Sequence, residues 1–167
     1  MTGSALEESM AGFRANPLSA RTAPAVTATL SDGRGRLTGG PFAWEVDLPP
    51  VVGGNNEAPS PTLYLLGALA GSAVAFIRDT LAPQLGVRLA GVTATARCRS
   101  DLRGLLGMAG ADPRLTGLSI EITIDTPNSP ERVEELRRAW LQRCPIYLAL
   151  LNPVPVEVTW TDREEGA

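Results

Sequence analysis

The pattern of hydrophobic and polar positions contains one long apolar run, and several shorter stretches in which apolar and polar residues alternate. The apolar run spans residues 60–77 and carries no charged side chain. Ser60 is a good N-cap and Pro61 suits the first helical position, so the run predicts a helix. We expect this helix to reach about Leu81 and to end before Pro83. Because the run is apolar all round, we predict that the helix is buried on every side.

Small residues within this helix predict a second backbone close by. They are Gly67, Ala70, Gly71 and Ala73. A leucine in place of Gly71 is therefore expected to overpack a helix contact. A membrane-spanning helix is the alternative interpretation. We disfavour it because spanning takes about 20 apolar residues and prolines shorten the run.

Alternation of apolar and polar residues predicts the strands. The predicted strands are 25–30 and 42–48, joined as a hairpin by a turn over 31–36, then 87–99, 118–125 and 154–160. Cys98 shares the apolar face of its strand and is predicted to be buried. The segment 101–116 is predicted to be a loop or a short helix.

A second long helix is predicted to start at Ser129–Pro130, with its acids early and its arginines late, as the helix dipole favours. Cys144–Pro145 ends it and begins a short third helix. This order of elements predicts an α+β fold with a largely antiparallel sheet and two long helices. Residues 1–22 are predicted to be a poorly ordered tail, with a short helix over 4–14 as the alternative.

Composition excludes several kinds of chemistry. The chain has no histidine, and all of its basic residues are arginines. Catalytic triads, lysine Schiff bases and histidine metal sites are therefore excluded. Two cysteines cannot form a cysteine-only zinc site, so we expect no metal and no cofactor. The net charge of −3 argues against nucleic-acid binding. No signal peptide is visible, which predicts a cytoplasmic protein.

Several short motifs occur along the chain in an order that is typical of a known family. They are Gly53-Gly54, Pro59-Ser60-Pro61, the run 65–71, Asp101-Leu102-Arg103-Gly104, Cys144-Pro145-Ile146 and 152–156. Together they resemble the OsmC/Ohr family, named after osmotically inducible protein C and organic hydroperoxide resistance proteins. The resemblance covers about 23–161, which we interpret as one OsmC-like domain between a flexible tail at 1–22 and a short tail at 162–167.

The resemblance implies an intertwined homodimer with two long central helices per subunit. It also implies two cysteines that reduce organic hydroperoxides and form a disulfide in doing so. Dithiols then reduce this disulfide. Ser72 occupies the position of the peroxidatic cysteine, and Cys144 occupies that of the resolving cysteine. The site arginine of the family corresponds to Arg34 or Arg36. The motif alignment leaves both open.

The chain also lacks a carboxylate that belongs to the family pattern. The glutamate expected near the start of the central helix is replaced by Thr62 or Leu63. Serine has no sulfur with which to form a sulfenic acid, so the peroxidatic site is predicted to be impaired. Ser72 is then interpreted either as a small residue at a helix contact or as a hydroxyl that faces a ligand.

Three hypotheses for the function follow. The first is a relative of the peroxide reductases with an impaired site, which keeps a small apolar ligand pocket at the dimer interface. The second is a working thiol enzyme that uses Cys144, alone or with Cys98. The third is a non-catalytic dimer that is structural or binds a partner. Because Cys144 precedes Pro145 and can cap a helix, we expect it to react faster with thiol reagents than Cys98.

Overall fold

Two antiparallel sheets carry all the strands in the computed structural model, which describes residues 2–162, with side chains from Ala5 onward. The strands are β1 (Thr27–Ser31), β2 (Arg34–Gly39), β3 (Phe42–Val46), β4 (Gly91–Arg99) and β5 (Thr116–Asp125). The first sheet has the order β1-β2-β3, and β4 pairs with β5 in the second. The predicted α+β class with antiparallel sheets is confirmed.

The helices follow the predicted order closely. They are α1 (Thr2–Ala15), α2 (Pro61–Phe76), α3 (Ala82–Leu85), α4 (Leu102–Leu105), α5 (Pro130–Arg143) and α6 (Pro145–Leu151), with short 3-10 turns at Pro17–Ala20 and Pro50–Val52. Ser60 caps α2 as predicted, since its hydroxyl accepts a hydrogen bond from the Leu63 N–H at 3.4 Å. The short helix α4 confirms one of the two interpretations of the segment 101–116.

The first sheet differs from the predicted hairpin because it has three strands. The turn is only two residues long, with Asp32 and Gly33 both at positive φ. The glycine-rich stretch after it was interpreted as turn, yet it forms β2, with β1 and β3 as partners on its two sides. Glycine weakens a strand, but a central strand gains ladder hydrogen bonds along both edges. Arg34 and Arg36 therefore lie in a strand.

The central helix continues past Pro83, which the sequence analysis placed beyond its end. Residues 77–81 form a π-helical turn, and the Ala82 N–H donates to the Ile77 carbonyl. Proline inside an α-helix clashes with the carbonyl one turn earlier. A widened π turn just before Pro83 accommodates the ring. The helix ends instead at Gly86, whose φ of 63° is a left-handed cap.

The core lies between the central helix, β4, β5 and α5. Its buried members are Ala73, Ile77, Leu81, Ala82, Val87, Leu136, Trp140 and Cys144. The apolar face of β4 and the isoleucines of β5 pack against this cluster, which confirms the predicted alternation. Asp101 and Gly104 of the fourth motif are structural. The Asp101 carboxylate caps α4, and a side chain at Gly104 would collide with Pro113.

One side of the central helix is exposed, in contrast to the prediction of burial all round. Leu63 is 58% exposed, Gly67 and Gly71 are exposed as well, and a Cβ on either glycine would meet nothing within 4 Å. The helix contact predicted at Gly71 is therefore absent within the chain. Pro61–Leu85 is long and apolar enough to cross a membrane by length and composition alone. Core helices of soluble proteins pass the same test, and this helix supplies much of the core.

The predicted last strand is a further expectation that the structure contradicts. The stretch after α6 has no regular structure up to residue 162, and Val156 and Trp160 are 83% and 88% exposed. Alternation sets which side chains share a face, but a strand also needs a neighbouring strand whose backbone it can hydrogen-bond. No edge within the described chain is paired with this segment. The tail predicted at 162–167 lies, apart from Asp162, outside the described residues.

The N-terminal stretch forms α1, the alternative that the sequence analysis left open beside a poorly ordered tail. This helix packs against α3, where the side-chain amide of Gln84 donates a hydrogen bond to the Met10 sulfur at 3.4 Å. Leu6 and Met10 are the half-buried residues of the part of α1 whose side chains are described.

Candidate functional site

Two residues from distant parts of the sequence meet in the core. Ser72, on α2, and Cys144, between α5 and α6, have their Oγ and Sγ atoms 3.4 Å apart. The Ser72 hydroxyl also donates to the Leu69 carbonyl at 2.9 Å. A hydroxyl has a single hydrogen, so it cannot donate to the Leu69 carbonyl and to the sulfur at the same time. The Ser72 hydroxyl thus lies between a backbone carbonyl of its own helix and the Cys144 sulfur.

Cys144 is enclosed on every side and has no exposed surface. Its N–H donates to the Trp140 carbonyl at 2.9 Å, which closes α5, and its side chain makes no capping bond to α6. Arg143 does not turn toward the thiol. Its guanidinium donates to Gln84 at 2.8 Å and lies 5.6 Å from the centre of the Phe76 ring.

Cys98 is more accessible than Cys144, the reverse of the sequence-based expectation. It is half-buried on β4, and both thiols are free. The burial of the two thiols therefore argues for the opposite order of reactivity to the one inferred from the Cys-Pro motif. A helix start next to a thiol favours the thiolate, but a reagent must first reach the sulfur.

The structure distinguishes the two candidate arginines. Arg36 is exposed, whereas Arg34 is half-buried. The Arg34 Nη1 atom donates to the Glu45 carboxylate at 2.9 Å, and its Nε lies 3.4 Å from the Glu57 carboxylate. Nε is enclosed from solvent without a well-aligned hydrogen bond, so the Glu57 contact is a charge contact. Arg34 is thus the arginine fixed by carboxylates.

Sequence reasoning missed these two carboxylates. The family pattern directs attention to Thr62 and Leu63, where the structure also has no acid. Glu45 lies on β3 in the strand next to Arg34, and Glu57 lies in the loop before α2. Recognising β2 as a strand would have placed Glu45 directly opposite Arg36 and diagonal to Arg34, within reach of a long side chain on the same face.

Asp47 holds the loop that carries Glu57. Its buried carboxylate accepts backbone hydrogen bonds from Glu57 at 3.0 Å, Leu48 at 2.7 Å and Asn55 at 3.1 Å. These bonds, above all that from Glu57, lower the pKa of Asp47 below its ordinary value. The loop passes so close that a Cβ on Gly54 would lie 2.7 Å from the Asp47 carboxylate. Gly54 is therefore a packing requirement of this loop, whereas Gly53 provides a left-handed φ of 95°.

The serine–thiol pair and the arginine cluster are separate features of the single chain. In the part that the structure describes, no hydrogen bond or ion pair joins Arg34 to Ser72 or Cys144. No group of histidine, cysteine or acidic side chains among these residues could hold a metal ion. The reactive groups of these two features are thus one buried thiol and one hydroxyl in the first, and one guanidinium with its carboxylates in the second.

An apolar groove of about 730 Å³ lies between β5 and α5. Three isoleucines of β5, Leu136, Trp140 and Tyr147 line it, and the rings of Trp140 and Tyr147 are 5.0 Å apart. The Trp140 Nε1–H is buried without a partner. The wall of the groove is therefore the same layer of core that encloses Cys144.

A family model described as OsmC-like protein matches residues 54–159. The chain belongs to the OsmC-like family. The match includes Ser72 and Cys144, whereas α1 and the first sheet with Arg34 precede it. Among curated proteins, no relative matches the chain.

Solved structures agree with this membership. An OsmC-like protein from Mycoplasma pneumoniae is 19% identical over 79% of this chain and 89% of its own, with a TM-score of 0.64. The organic hydroperoxide resistance protein OsmC of Legionella pneumophila is 18% identical over 80% and 92%, with a TM-score of 0.59. A Vibrio cholerae organic hydroperoxide resistance protein with captopril in one active site is 21% identical over 80% and 89%, with a TM-score of 0.56. At these identities the likeness concerns the OsmC-like fold.

Proposed function

We propose that this OsmC-like protein is a relative of the thiol-dependent organic hydroperoxide reductases of oxidative-stress defence, with an impaired peroxidatic centre. The observation that carries the proposal is the 3.4 Å contact between Ser72 Oγ and Cys144 Sγ. It brings together the two positions that the family resemblance assigns to the reacting thiols. One of the two carries oxygen where the reaction needs sulfur.

The impairment follows from the chemistry of the reductase reaction. A thiolate attacks the distal peroxide oxygen, the O–O bond breaks, and the alkoxide leaves as an alcohol after taking a proton. The sulfur is then a sulfenic acid, which a second thiol attacks to form a disulfide and release water. A hydroxyl cannot take the first role, and the partners of the Ser72 hydroxyl in the described chain are the Leu69 carbonyl and the Cys144 sulfur, neither of which is a histidine, lysine or carboxylate that could activate it as a base.

We infer further that the protein acts as an intertwined homodimer. Three surfaces that a second copy would cover support this inference. They are the exposed strip Leu63–Gly67–Gly71–Ala75 on α2, the apolar groove between β5 and α5, and the alternating segment 154–160, which has no strand partner in the single chain. Large uncovered apolar surfaces mark protein–protein contacts.

Part of the groove, in this proposal, remains open as a pocket for a small apolar ligand or hydroperoxide. Its volume is within the range of about 300–1,000 Å³ that is typical of small-molecule sites. The captopril molecule in an active site of the Vibrio protein supports the idea that OsmC-like sites admit small molecules. Cytoplasmic localisation belongs to the same proposal, since two free thiols suit a reducing compartment.

Reduction of tert-butyl or cumene hydroperoxide, with a dithiol as reductant, tests the proposal. The unmodified chain should show negligible turnover, and Ser72→Cys should raise it. The gain should be partial, because Arg34 is paired with Glu45 and Glu57 and does not contact position 72. The double variant Ser72→Cys/Cys144→Ser is the matched control and should accumulate sulfenic acid without forming a disulfide. No gain from Ser72→Cys would contradict the assignment of the peroxidatic position.

A working thiol enzyme based on Cys144 is the second candidate. The adjacent Ser72 hydroxyl favours it, because it could hydrogen-bond an oxidised sulfur. Complete burial of the thiol weighs against it. Fast turnover by the unmodified chain that disappears in Cys144→Ser would establish this alternative, and Cys98→Ser would then show whether the second cysteine takes part.

A further inference from the structure

A second groove, remote from the isoleucines of β5, lies between α1 and α3. It has a volume of about 600 Å³. Helix α1 forms one wall and precedes the region matched by the family model, which begins at residue 54. Pro83 and Gln84 of α3, together with Arg143 at the end of α5, form the other wall. One wall of the groove thus lies outside the region matched by the family model, and the other wall lies inside it.

Its lining combines apolar surface with two guanidinium groups. Leu6, Met10 and Pro83 supply the apolar part, and Arg14 and Arg143 supply the charge. Neither arginine forms a salt bridge with a carboxylate in the described part of the chain, although many other arginines of this acidic protein do. Two cations that share one groove repel each other, and an anion between them relieves that repulsion.

The polar contacts inside the groove leave hydrogen-bonding capacity unused. Arg143 gives one N–H to the neutral amide oxygen of Gln84 at 2.8 Å, although a guanidinium has five N–H donors. The amide nitrogen of Gln84 donates to the Met10 sulfur, a weak acceptor. The only acid of the lining is Glu7, so the charged residues of the groove sum to one positive charge. A carboxylate would be a better acceptor than any present partner of Arg143.

We propose that this groove binds an amphiphilic monocarboxylate, with the carboxylate between Arg14 and Arg143 and the aliphatic chain against Leu6, Met10 and Pro83. The volume is in the range of small-molecule sites, about 300–1,000 Å³. Helix α1 then serves as one half of a binding cleft. The proposal is independent of the peroxide chemistry at Ser72.

Calorimetric titration of the full chain with octanoate, octanol and octylammonium tests the proposal. Octanoate should bind one per chain, and the other two should not bind at the same concentrations. Arg14→Gln and Arg143→Gln should each weaken octanoate binding about tenfold or more, the usual effect of losing a hydrogen bond between charged groups. Arg138→Gln, an exposed arginine on α5 outside the lining, is the matched control and should bind as the parent does.

Several outcomes would overturn the assignment. Equal affinity for octanol and octanoate would mean that the carboxylate contributes nothing and that both ligands bind through their aliphatic chains alone. Unchanged octanoate affinity in the double arginine variant would place the ligand elsewhere, and absence of binding would remove the site. Arg143 also holds Gln84, so Arg143→Gln could unfold locally. Arg14 is exposed, so Arg14→Gln tests the proposal without that risk. Arginine-dependent binding to vesicles of anionic phospholipid, without octanoate binding, would replace the soluble ligand by a lipid surface.

Discussion

Replacing Gly71 by leucine separates packing inside the chain from packing between chains. Gly71 lies on the exposed side of α2, in line with Gly67 and Ala75 along one strip of the helix. A Cβ placed on Gly71 meets no atom within 4 Å. The leucine side chain therefore points into space that a second copy occupies in the proposed homodimer, and that solvent occupies in a monomer.

The expected energies have opposite signs in the two states. Within one chain, leucine is a better helix former than glycine by about 0.5–1 kcal/mol, so the isolated fold should become slightly more stable. In a symmetric dimer the same contact occurs twice. Overpacking typically costs about 1–3 kcal/mol at each site, which gives about 2–6 kcal/mol in total. The lower limit alone raises the dissociation constant about 30-fold.

Sedimentation equilibrium over a dilution series, together with thermal unfolding followed by circular dichroism, measures both effects. The parent chain should be dimeric and Gly71→Leu largely monomeric at the same concentration, with its helical signal retained. Gly12→Leu is the matched control, since Gly12 is also an exposed helical glycine with nothing within 4 Å of a Cβ. A Gly71→Leu variant that stays as firmly dimeric as the parent would refute the helix contact. One that does not fold would show that the position is enclosed within the chain.

Three further predictions test the site and its supports. Cys98 should react with a maleimide faster than Cys144, whose sulfur is fully buried, as mass spectrometry of partly labelled protein would show; the opposite order would mean that the core opens readily. Asp47→Asn should lower the melting temperature near neutral pH and flatten its fall in acid. The lowered pKa of Asp47 means that its stabilisation is present above the ordinary value of 3.8 and is lost as the pH falls through and below it; an equal fall in acid for both proteins would place the acid sensitivity elsewhere. Leu136→Ala should lower the free energy of unfolding, measured by denaturant titration, by about 2–5 kcal/mol, because it leaves a cavity in a closed core. A change near zero would mean that neighbouring side chains fill the cavity.

Much of the fold is predictable because it depends on local rules. The N-caps and first-turn prolines mark where α2, α5 and α6 begin, and the starts and ends of α5 and α6 agree with the structure. The alternating face of β4 and β5 follows from the two-residue period of a strand. The order of these elements, with a few short motifs, was sufficient to predict the OsmC-like family.

The sequence by itself also determined the chemistry that is available, since a chain with serine at position 72 and no histidine or lysine has a fixed set of reactive groups. Only the tertiary structure decided how those groups are arranged. It brought Ser72 to Cys144, gave Arg34 its carboxylates from Glu45 and Glu57, and exposed one side of a helix predicted to be buried. The physical reason is that helix ends and strand faces depend on neighbours along the chain. Burial, ion pairs and strand partners depend on residues far apart in sequence, so the same alternation forms β5 where an edge is available and leaves 154–160 unpaired where none is.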